Sequence, residues 1–590
     1  MQDLFSFYQS QVEEHQASLS DVKKQLAGSS TLRLLVFVAT GFLIYFFFGN
    51  VKVVLSLAIG GIAVFLYLVS RHTDLQYKRD KLLALKEINE SEIKVLHRDF
   101  HEFPDGKEFK DPMHPFSQDI DLFGRGSFYQ YTNRTQLEQG SVALAKLLAE
   151  NSLEQIPQKQ EAIRELSEMP KWRQDFLAVA SLVKTQTTTT TIETWLANYT
   201  SFVPAFIKYL PLVFSVVSVG SFLLYFMGWL PGFVLVILLL AGLLISGVFT
   251  KKITRLGHVS SKMQSTFEQY DKLLQIIEET DFEASLLNEK KQQIIREGKK
   301  TSAVLREFSK LLGNLDQNNN VFYLVFGNGY FLRGLATSYQ IEQWISRHGH
   351  AAKDWFAVIA FFDAYISLGT FAFNHSKYTF PSIEDSHRVV KSKAAGHPLL
   401  DPEKGVRNDF EIDSDEFFII TGANMAGKST FLRTVSLQLV MANVGLPVCA
   451  EAAVYNPIKL ITSMRTTDSL TDDESYFFSE LKRLKFIVDE IQKDRYFIVL
   501  DEILKGTNST DKAKGSRKFV EKLVASRSTG IIATHDLSLC EVVEQLPEVK
   551  NYYFDAEIID DELHFDYKFK KGICQNMNAS FLLKKMEIVE

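Results

Sequence analysis

Three segments in the last third of the chain carry residue types suited to phosphate chemistry. The first is Gly422-Ala423-Asn424-Met425-Ala426-Gly427-Lys428-Ser429-Thr430, a glycine, four variable residues, then Gly-Lys-Ser. It follows the apolar run Phe417–Thr421 and opens onto a helical pattern from Phe431. Strand, glycine loop, helix is the context in which this spacing has a mechanism. Successive backbone N–H groups and a helix N-terminus then point at a chain of phosphates. Lys428 is placed to neutralise the β and γ phosphates, and Ser429 to give a hydroxyl to Mg²⁺. ATP and Mg²⁺ are therefore the expected ligands of residues 422–430.

The second segment, Arg495-Tyr-Phe-Ile-Val-Leu-Asp501-Glu502, is an apolar run ending in two acids. Buried parallel strands read as continuous apolar runs, and ligands sit at the carboxyl ends of such strands. Asp501 is expected to hold Mg²⁺ through water, and Glu502 to orient or deprotonate the attacking water. The third segment, Thr529–Asp536, is another apolar run with His535 at its end. A lone histidine is ordinarily structural, but its place after the acidic pair suggests a γ-phosphate sensor. Lys428, Glu502 and His535 are thus the candidate catalytic residues, and Ser429 and Asp501 the candidate metal ligands.

Together these segments resemble the ATPase domain of the DNA mismatch repair MutS family. The likeness rests on Thr421–Thr430, on Leu500-Asp-Glu-Ile-Leu-Lys-Gly-Thr-Asn-Ser-Thr-Asp511 and on Ala533-Thr-His535. Gly396-His-Pro398, the segment Thr466–Glu480 and the tail from Lys571 extend it. More loosely, Asp121–Thr135 with Gly140, Gln158–Arg164 and Phe361–Leu368 are similar to the family's core domain and the helix returning from its lever arm. The resemblance implies a dimer with composite sites, in which Ser475 reaches the partner's γ-phosphate and Asp511 lies near the neighbouring site. It also implies DNA, mismatched or structured, as a partner and a mismatch repair-type role. An ordinary helix N-cap is the alternative for Ser475. Ala423 and Ala426 depart from the family's proline and glycine; Ala426 is tolerable only if its backbone avoids positive φ. The family's mismatch-reading domain and DNA clamp are expected to be replaced by apolar helices, with no nuclease-like tail. The letters Phe100-His-Glu102 mimic the family's wedge without its surrounding domain and read as coincidence.

Those apolar helices come as four runs, near 34–48, 53–69, 210–227 and 233–249, each about bilayer length and free of charge. Arg33, Arg71, Lys78, Arg79, Lys208, Lys251, Lys252 and Arg255 flank them. By the positive-inside rule both hairpins return to the cytoplasm, where ATP is. Buried hairpins of a soluble core, or a hairpin dipping into one leaflet, are the alternatives. The expected organisation is a cytosolic amphipathic helix (1–31) ending near Gly28-Ser-Ser, a transmembrane hairpin (32–70), a charged helix and Pro/Gly linker (71–118), and a core-like helical domain (119–207). A second transmembrane hairpin (208–250), a lever-like helical region (251–390) and an α/β P-loop domain with a mostly parallel sheet (391–590) follow. The Thr-rich stretch 187–191 reads as a polar loop or N-cap region.

A net charge of −6 over 590 residues excludes nucleic-acid binding by bulk charge alone. Residues 289–300 are the best local basic candidate, though a solvated helix face explains them as well. Three cysteines without metal-ligand spacing fit a reduced compartment. Two other function classes stay open: an ABC-type transport ATPase, and an ATP-switched membrane tether that binds protein. Against transport, no Leu-Ser-Gly-Gly-Gln-like segment precedes Asp501, and no charge in the membrane runs marks a substrate path. The expected location is the cytoplasmic membrane, with the ATPase domain in the cytoplasm.

Overall fold

The computed structural model describes residues 2–183, 188–296, 299–317, 320–464, 476–505, 507–559 and 562–575. Ser475 and the rest of 465–475, Gly506, Thr187 and the tail from 576 lie outside the described residues.

A six-stranded sheet organises the C-terminal part. Its strands are β1 (Phe417–Gly422), β2 (Lys459–Ser463), β3 (Tyr496–Asp501), β4 (Thr529–Ala533), β5 (Val549–Phe554) and β6 (Lys570–Lys571). Their spatial order is β6-β5-β1-β4-β3-β2. All neighbours are parallel except β6, which runs antiparallel to β5. Every residue of β1 and β4 is buried, as expected for strands covered on both faces. A second, four-stranded sheet joins Ser382–Ile383, Ala452–Tyr455, Arg388–Ala395 and Asn408–Asp413, in that spatial order. Strand structure of this C-terminal part therefore begins at Ser382 rather than 391, because a two-residue strand is too short for its alternation to show in sequence.

The helices that matter below are α1 (Gln2–Phe46), α2 (Val51–Leu96), α3 (Leu210–Phe226), α4 (Phe233–Glu279), α5 (Thr301–Asp316), α6 (Arg333–His348), α7 (Ala352–Asn374) and α8 (Lys428–Val444). Helix α1 does not end near Gly28-Ser-Ser as the sequence suggested. It runs on through the apolar stretch, because α2 lies alongside it and no proline interrupts the ladder. Thr31 Oγ1 donates back to Ala27 O at 3.1 Å, and Ser29 Oγ lies 3.3 Å from His72 Nδ1 of α2. Likewise α2 and α4 each join an apolar stretch to a charged one without a break. The expected boundaries at 70 and 250 are changes of composition, not of structure.

The Pro/Gly segment 101–118 is also not a free linker. Pro115 O accepts from Thr462 N at 2.9 Å, and Asp119 Oδ2 accepts from Thr462 Oγ1 at 2.5 Å. Arg483 Nη2 donates to His114 O at 3.1 Å. Asn151 brackets Leu460, donating to its carbonyl and accepting from its N–H, both at 2.9 Å. Backbone groups of edge strand β2 are satisfied by these partners, which protects the edge and fastens the helical core to the six-stranded sheet. Phe100 is buried against Tyr131, ring centroids 4.8 Å apart, so it serves packing. Thr188 caps the helix Thr189–Ala197, the N-cap reading of the Thr-rich stretch.

The foot of the first hairpin is tied to the core by a buried polar cluster. Arg134 pairs with Glu92 of α2, and Asn374 Nδ2 donates to Glu92 Oε2 at 2.7 Å. Tyr8 of α1 donates to Asn374 Oδ1 at 2.7 Å. Behind it, Asp363 of α7 accepts from Gln136 N at 3.2 Å and Leu137 N at 3.0 Å, capping the helix Glu138–Ala149. A Cβ at Gly140 would meet Asp363 Oδ2 at 2.0 Å, so the cap requires glycine there. Burial pushes the Asp363 carboxyl up to about 7, against the two N–H donors.

Candidate functional site

The loop between β1 and α8 is held by two glycines. Gly422 has φ +148°, and a Cβ there would meet Phe554 O at 2.6 Å. Gly427 has φ +107°, and a Cβ there would meet the Tyr567 ring at 3.1 Å. Ala426 is buried and does not have positive φ; Met425, exposed, takes the left-handed conformation instead, with φ +67°. The departure at Ala426 is thereby accommodated without strain at that residue. Asn424, Met425, Ser429 and Thr430 are exposed along the loop and the first turn of α8, while Ala423 is half-buried.

Lys428 is buried, and its ammonium donates to Gly422 O at 2.7 Å and Ala423 O at 2.9 Å. Burial pushes this ammonium below the usual lysine range, while the charges of Asp501 and Glu502 oppose that shift. Ser429 Oγ donates to Asp501 Oδ2 at 2.7 Å. The acidic strand end is not adjacent to β1, because β4 lies between β1 and β3. Asp501 still reaches across to the first turn of α8.

His535 closes the arrangement from the end of β4. Its Nε2 is 2.8 Å from Glu502 Oε1 and 3.3 Å from Lys428 Nζ. With Nε2 carrying the proton, the imidazole donates to Glu502 and lies beside Lys428 without accepting from it. That hydrogen bond holds the Glu502 carboxyl at about 2, helped by the charges of His535, Lys505 and Lys512 and opposed by partial burial. Glu502 and Leu504 are non-glycine residues with φ of +49° and +60°, a cluster of backbone strain at the end of the acidic strand. Glu502 N donates to Ala533 O at 2.9 Å, which registers the two strand ends.

The residues fit a magnesium nucleotide. A hydroxyl and a carboxylate converge at 2.7 Å, hard oxygen donors of the kind Mg²⁺ takes alongside phosphate oxygens and water. Among the described residues no cluster of three or more His, Cys, Asp or Glu side chains suits a metal held by protein alone. Two neighbours escaped the sequence reading. Lys505 Nζ lies 3.8 Å from Glu502 Oε2, and the half-exposed Tyr567 ring lies against Gly427. No spacing rule flags either one, since turn and tail geometry place them. Asp511 sits in the first turn of the helix Ser509–Ala525, its N–H donating to the Asn508 cap at 2.9 Å. In the basic stretch 289–300, Lys291 donates to Thr280 O at 2.6 Å and pairs with Asp281, and Lys300 pairs with Glu279.

A parallel sheet with a glycine loop after its central strand, and acid and histidine at neighbouring strand ends, is the arrangement that P-loop nucleotide-binding domains use. Residues 418–587 match the family model for MutS domain V. That stretch of the chain is therefore similar to domain V of MutS proteins. The chain is 30% identical over 224 residues to MutS protein homolog 4 of Homo sapiens, covering 36% of this chain and 23% of that protein. It is 30% identical over 217 residues to DNA mismatch repair protein MSH4 of Arabidopsis thaliana, covering 36% and 27%. To DNA mismatch repair protein MutS of Flavobacterium psychrophilum it is 31% identical over 244 residues, covering 40% and 28%. The chain thus spans about a quarter of the length of these relatives.

Proposed function

We propose that this protein is a membrane-anchored, MutS-like ATPase that hydrolyses ATP at two dimer-shared sites. The observation that carries the reading is the convergence of Lys428, Ser429, Asp501, Glu502 and His535 from three separate segments on one loop. Ser429 and Asp501 would hold Mg²⁺, which supplies charge neutralisation at the β and γ phosphates. Lys428 turns its ammonium from the two loop carbonyls to the phosphates. A carboxylate held near 2 is a weak base, so Glu502 acts chiefly by orienting the attacking water. His535 fixes Glu502 and lies beside Lys428, where it can register the γ-phosphate. Ser475 of a second copy completes each site, with Asp511 near the shared boundary.

The membrane reading is supported by burial. Helices α1, α2 and α4 contain stretches long and apolar enough to span a bilayer, and 0%, 6% and 11% of those stretches are buried in protein. Helix α3 is shorter, with 17 residues, and pairs with α4. The cytosolic halves of α1, α2 and α4 are continuous with these stretches, so a movement at the ATPase sheet has a rigid path to the membrane. DNA, mismatched or structured, is the ligand suggested by the relatives' names, and repair-type work at the cytoplasmic membrane is the corresponding role. A protein-binding tether is the second reading, favoured by the pairing of the one basic stretch with nearby acids and carbonyls.

The test is ATP turnover of the membrane-reconstituted protein with and without duplex, mismatched and branched DNA. Wild type should turn over ATP and Lys428→Ala should not, since the only cation inside the loop is removed. Stimulation by DNA that falls steeply with salt would support the DNA role; no stimulation by any of the three DNAs would leave the tether. Equal turnover by wild type and K428A would sink the ATPase assignment.

A further inference from the structure

Between α5 and α6 the chain does something no apolar run announced. Helix α5 climbs antiparallel along α4: Ser302 N donates to Glu278 Oε1 at 2.9 Å, and further up Arg306 pairs with Asp271 at 3.2 Å. A Cβ at Gly313 would meet Gln264 at 2.8 Å. The chain continues upward through a π-helical turn, Tyr323–Gly327, and a short helix, Asn328–Phe331. It then bends at Leu332, φ +50°, and α6 descends beside α5, with Trp344 stacked on Phe308 at 3.8 Å.

The top of this climb lies inside the second hairpin. A Cβ at Gly242 would meet Gly329 O at 2.0 Å, and one at Gly329 would meet Leu239 Cδ1 at 2.4 Å. Tyr330 packs edge-on against Phe222 of α3, with centroids 4.9 Å apart. Gly242 precedes the basic residues at Lys251 and Lys252 by two and a half turns. At 1.5 Å per residue that is about 13 Å, close to half of a hydrocarbon core about 30 Å thick. The outward face of the segment is apolar: Val321 and Phe322 are 70% and 75% exposed, matching Leu244 at 74% and Val248 at 78% on α4. Its backbone is satisfied internally. Leu324 N donates to Asn320 O at 2.8 Å, Phe322 N to Asn320 Oδ1 at 2.9 Å, and Gly334 N to Asn328 Oδ1 at 2.8 Å across the bend. Non-helical backbone at membrane depth requires such satisfaction.

We propose that residues 321–331 form a re-entrant membrane segment that enters from the cytoplasmic side, seats on Gly242 and faces the acyl chains of the cytoplasmic leaflet with Val321, Phe322, Leu324 and Phe326. The inference rests on the membrane reading of α3 and α4 and adds to it. An apolar run of this length is too short to span but suits a re-entrant element. The polar Asn320 stands at its entry, and the exposed Arg333 follows the bend, with a side chain long enough to reach toward headgroups. Because α5 and α6 lock onto each other and onto α4, the segment couples the leaflet to the helical core.

The test uses the single-substitution variants F322C and F326C of the full chain in membrane vesicles open to a membrane-impermeant maleimide on the cytoplasmic face. The three native cysteines are buried. F42C, in the apolar part of α1, reports the membrane reading, and E279C, exposed at the end of α4, reports full access. F322C and F326C should react at least about tenfold more slowly than E279C, because a thiol in hydrocarbon does not ionise to the reactive thiolate. They should then react readily in detergent. F322C reacting like E279C while F42C stays protected would overturn the re-entrant segment and leave the membrane reading standing. F42C reacting like E279C would overturn both. Protection of F322C that persists in detergent, or its disulfide cross-linking to a second copy on mild oxidation, would show a protein occupant and overturn the lipid contact.

Discussion

Glu502 and Asp363 are both shielded carboxylates, and their surroundings drive them in opposite directions. Glu502, at the end of β3, faces His535, Lys505 and Lys512 and is held down to about 2. Asp363, in the middle of α7, faces two backbone N–H groups and, among the described residues, no cation, and burial pushes it up to about 7. The difference teaches that a displaced pKa does not by itself mark chemistry. A carboxylate that meets cations at a strand end is poised for a substrate. One that meets only the N–H groups leading into a helix is a cap, with glycine at 140 keeping room for it.

The sharpest way to break this comparison is Glu502→Gln. Turnover should fall by roughly 10²–10⁴-fold, the usual reach of one general acid–base or water-orienting group, while ATP binding is retained and thermal stability is little changed. A quenched-flow measurement giving normal turnover would remove Glu502 from the chemistry. Next in size is Asp363→Ala, which leaves the start of the helix Glu138–Ala149 uncapped and opens space beside Gly140. A loss of about 1–3 kcal/mol is expected for orphaned buried donors, read as a lower denaturant midpoint, with ATP turnover per folded molecule unchanged. A specific loss of turnover instead would erase the distinction between the two acids.

Smaller effects concern pH. His535→Ala removes the main group holding Glu502 down, so the carboxyl should rise toward the ordinary carboxylate range. The acid limb of the turnover profile should move upward by about 1–2 pH units in that variant, the scale of a lost hydrogen-bonded partner. In stability, Glu502 contributes above its unfolded value, and the contribution is lost as pH falls through about 2. Asp363 has the opposite sign: its folded value is raised, so its contribution is complete in acid and is lost as pH rises through about 7. Asp363→Asn should therefore flatten the loss of stability between pH 4 and 7, measured by denaturant midpoints across that window. An unchanged slope would show that Asp363 keeps its charge in the fold.

Much of the nucleotide site was legible in the sequence because it depends on local order. A glycine loop must follow a strand and open a helix, so Gly422–Thr430 announces its own geometry. Strand-end acids and histidine are visible because continuous apolar runs end at them. What the sequence placed less well depends on neighbours. It brought Asp501 to the loop, as the Ser429 contact bears out, but could not show that β4 lies between the two strands. It ended α1 near Gly28 because it could not see α2 alongside, and it read 101–118 as a linker because the capture of edge strand β2 is a long-range event.

Apolar helices mark the same limit. The sequence flags α7 as no more than a returning lever helix, and by length and composition it could cross a membrane as α1 could. Yet 83% of its apolar stretch is buried in protein, against none of that in α1. Composition fixes that a helix must leave water. Whether it leaves into protein or into lipid is decided by which other elements surround it. The sequence by itself thus determined the phosphate loop, the strand-end acids and the presence of helices that cannot stay in water. Only the tertiary structure decided that His535 donates to Glu502 beside Lys428, that Asp363 is a cap, and that residues 321–331 rise to Gly242, because each depends on residues far apart in the chain meeting across packed elements.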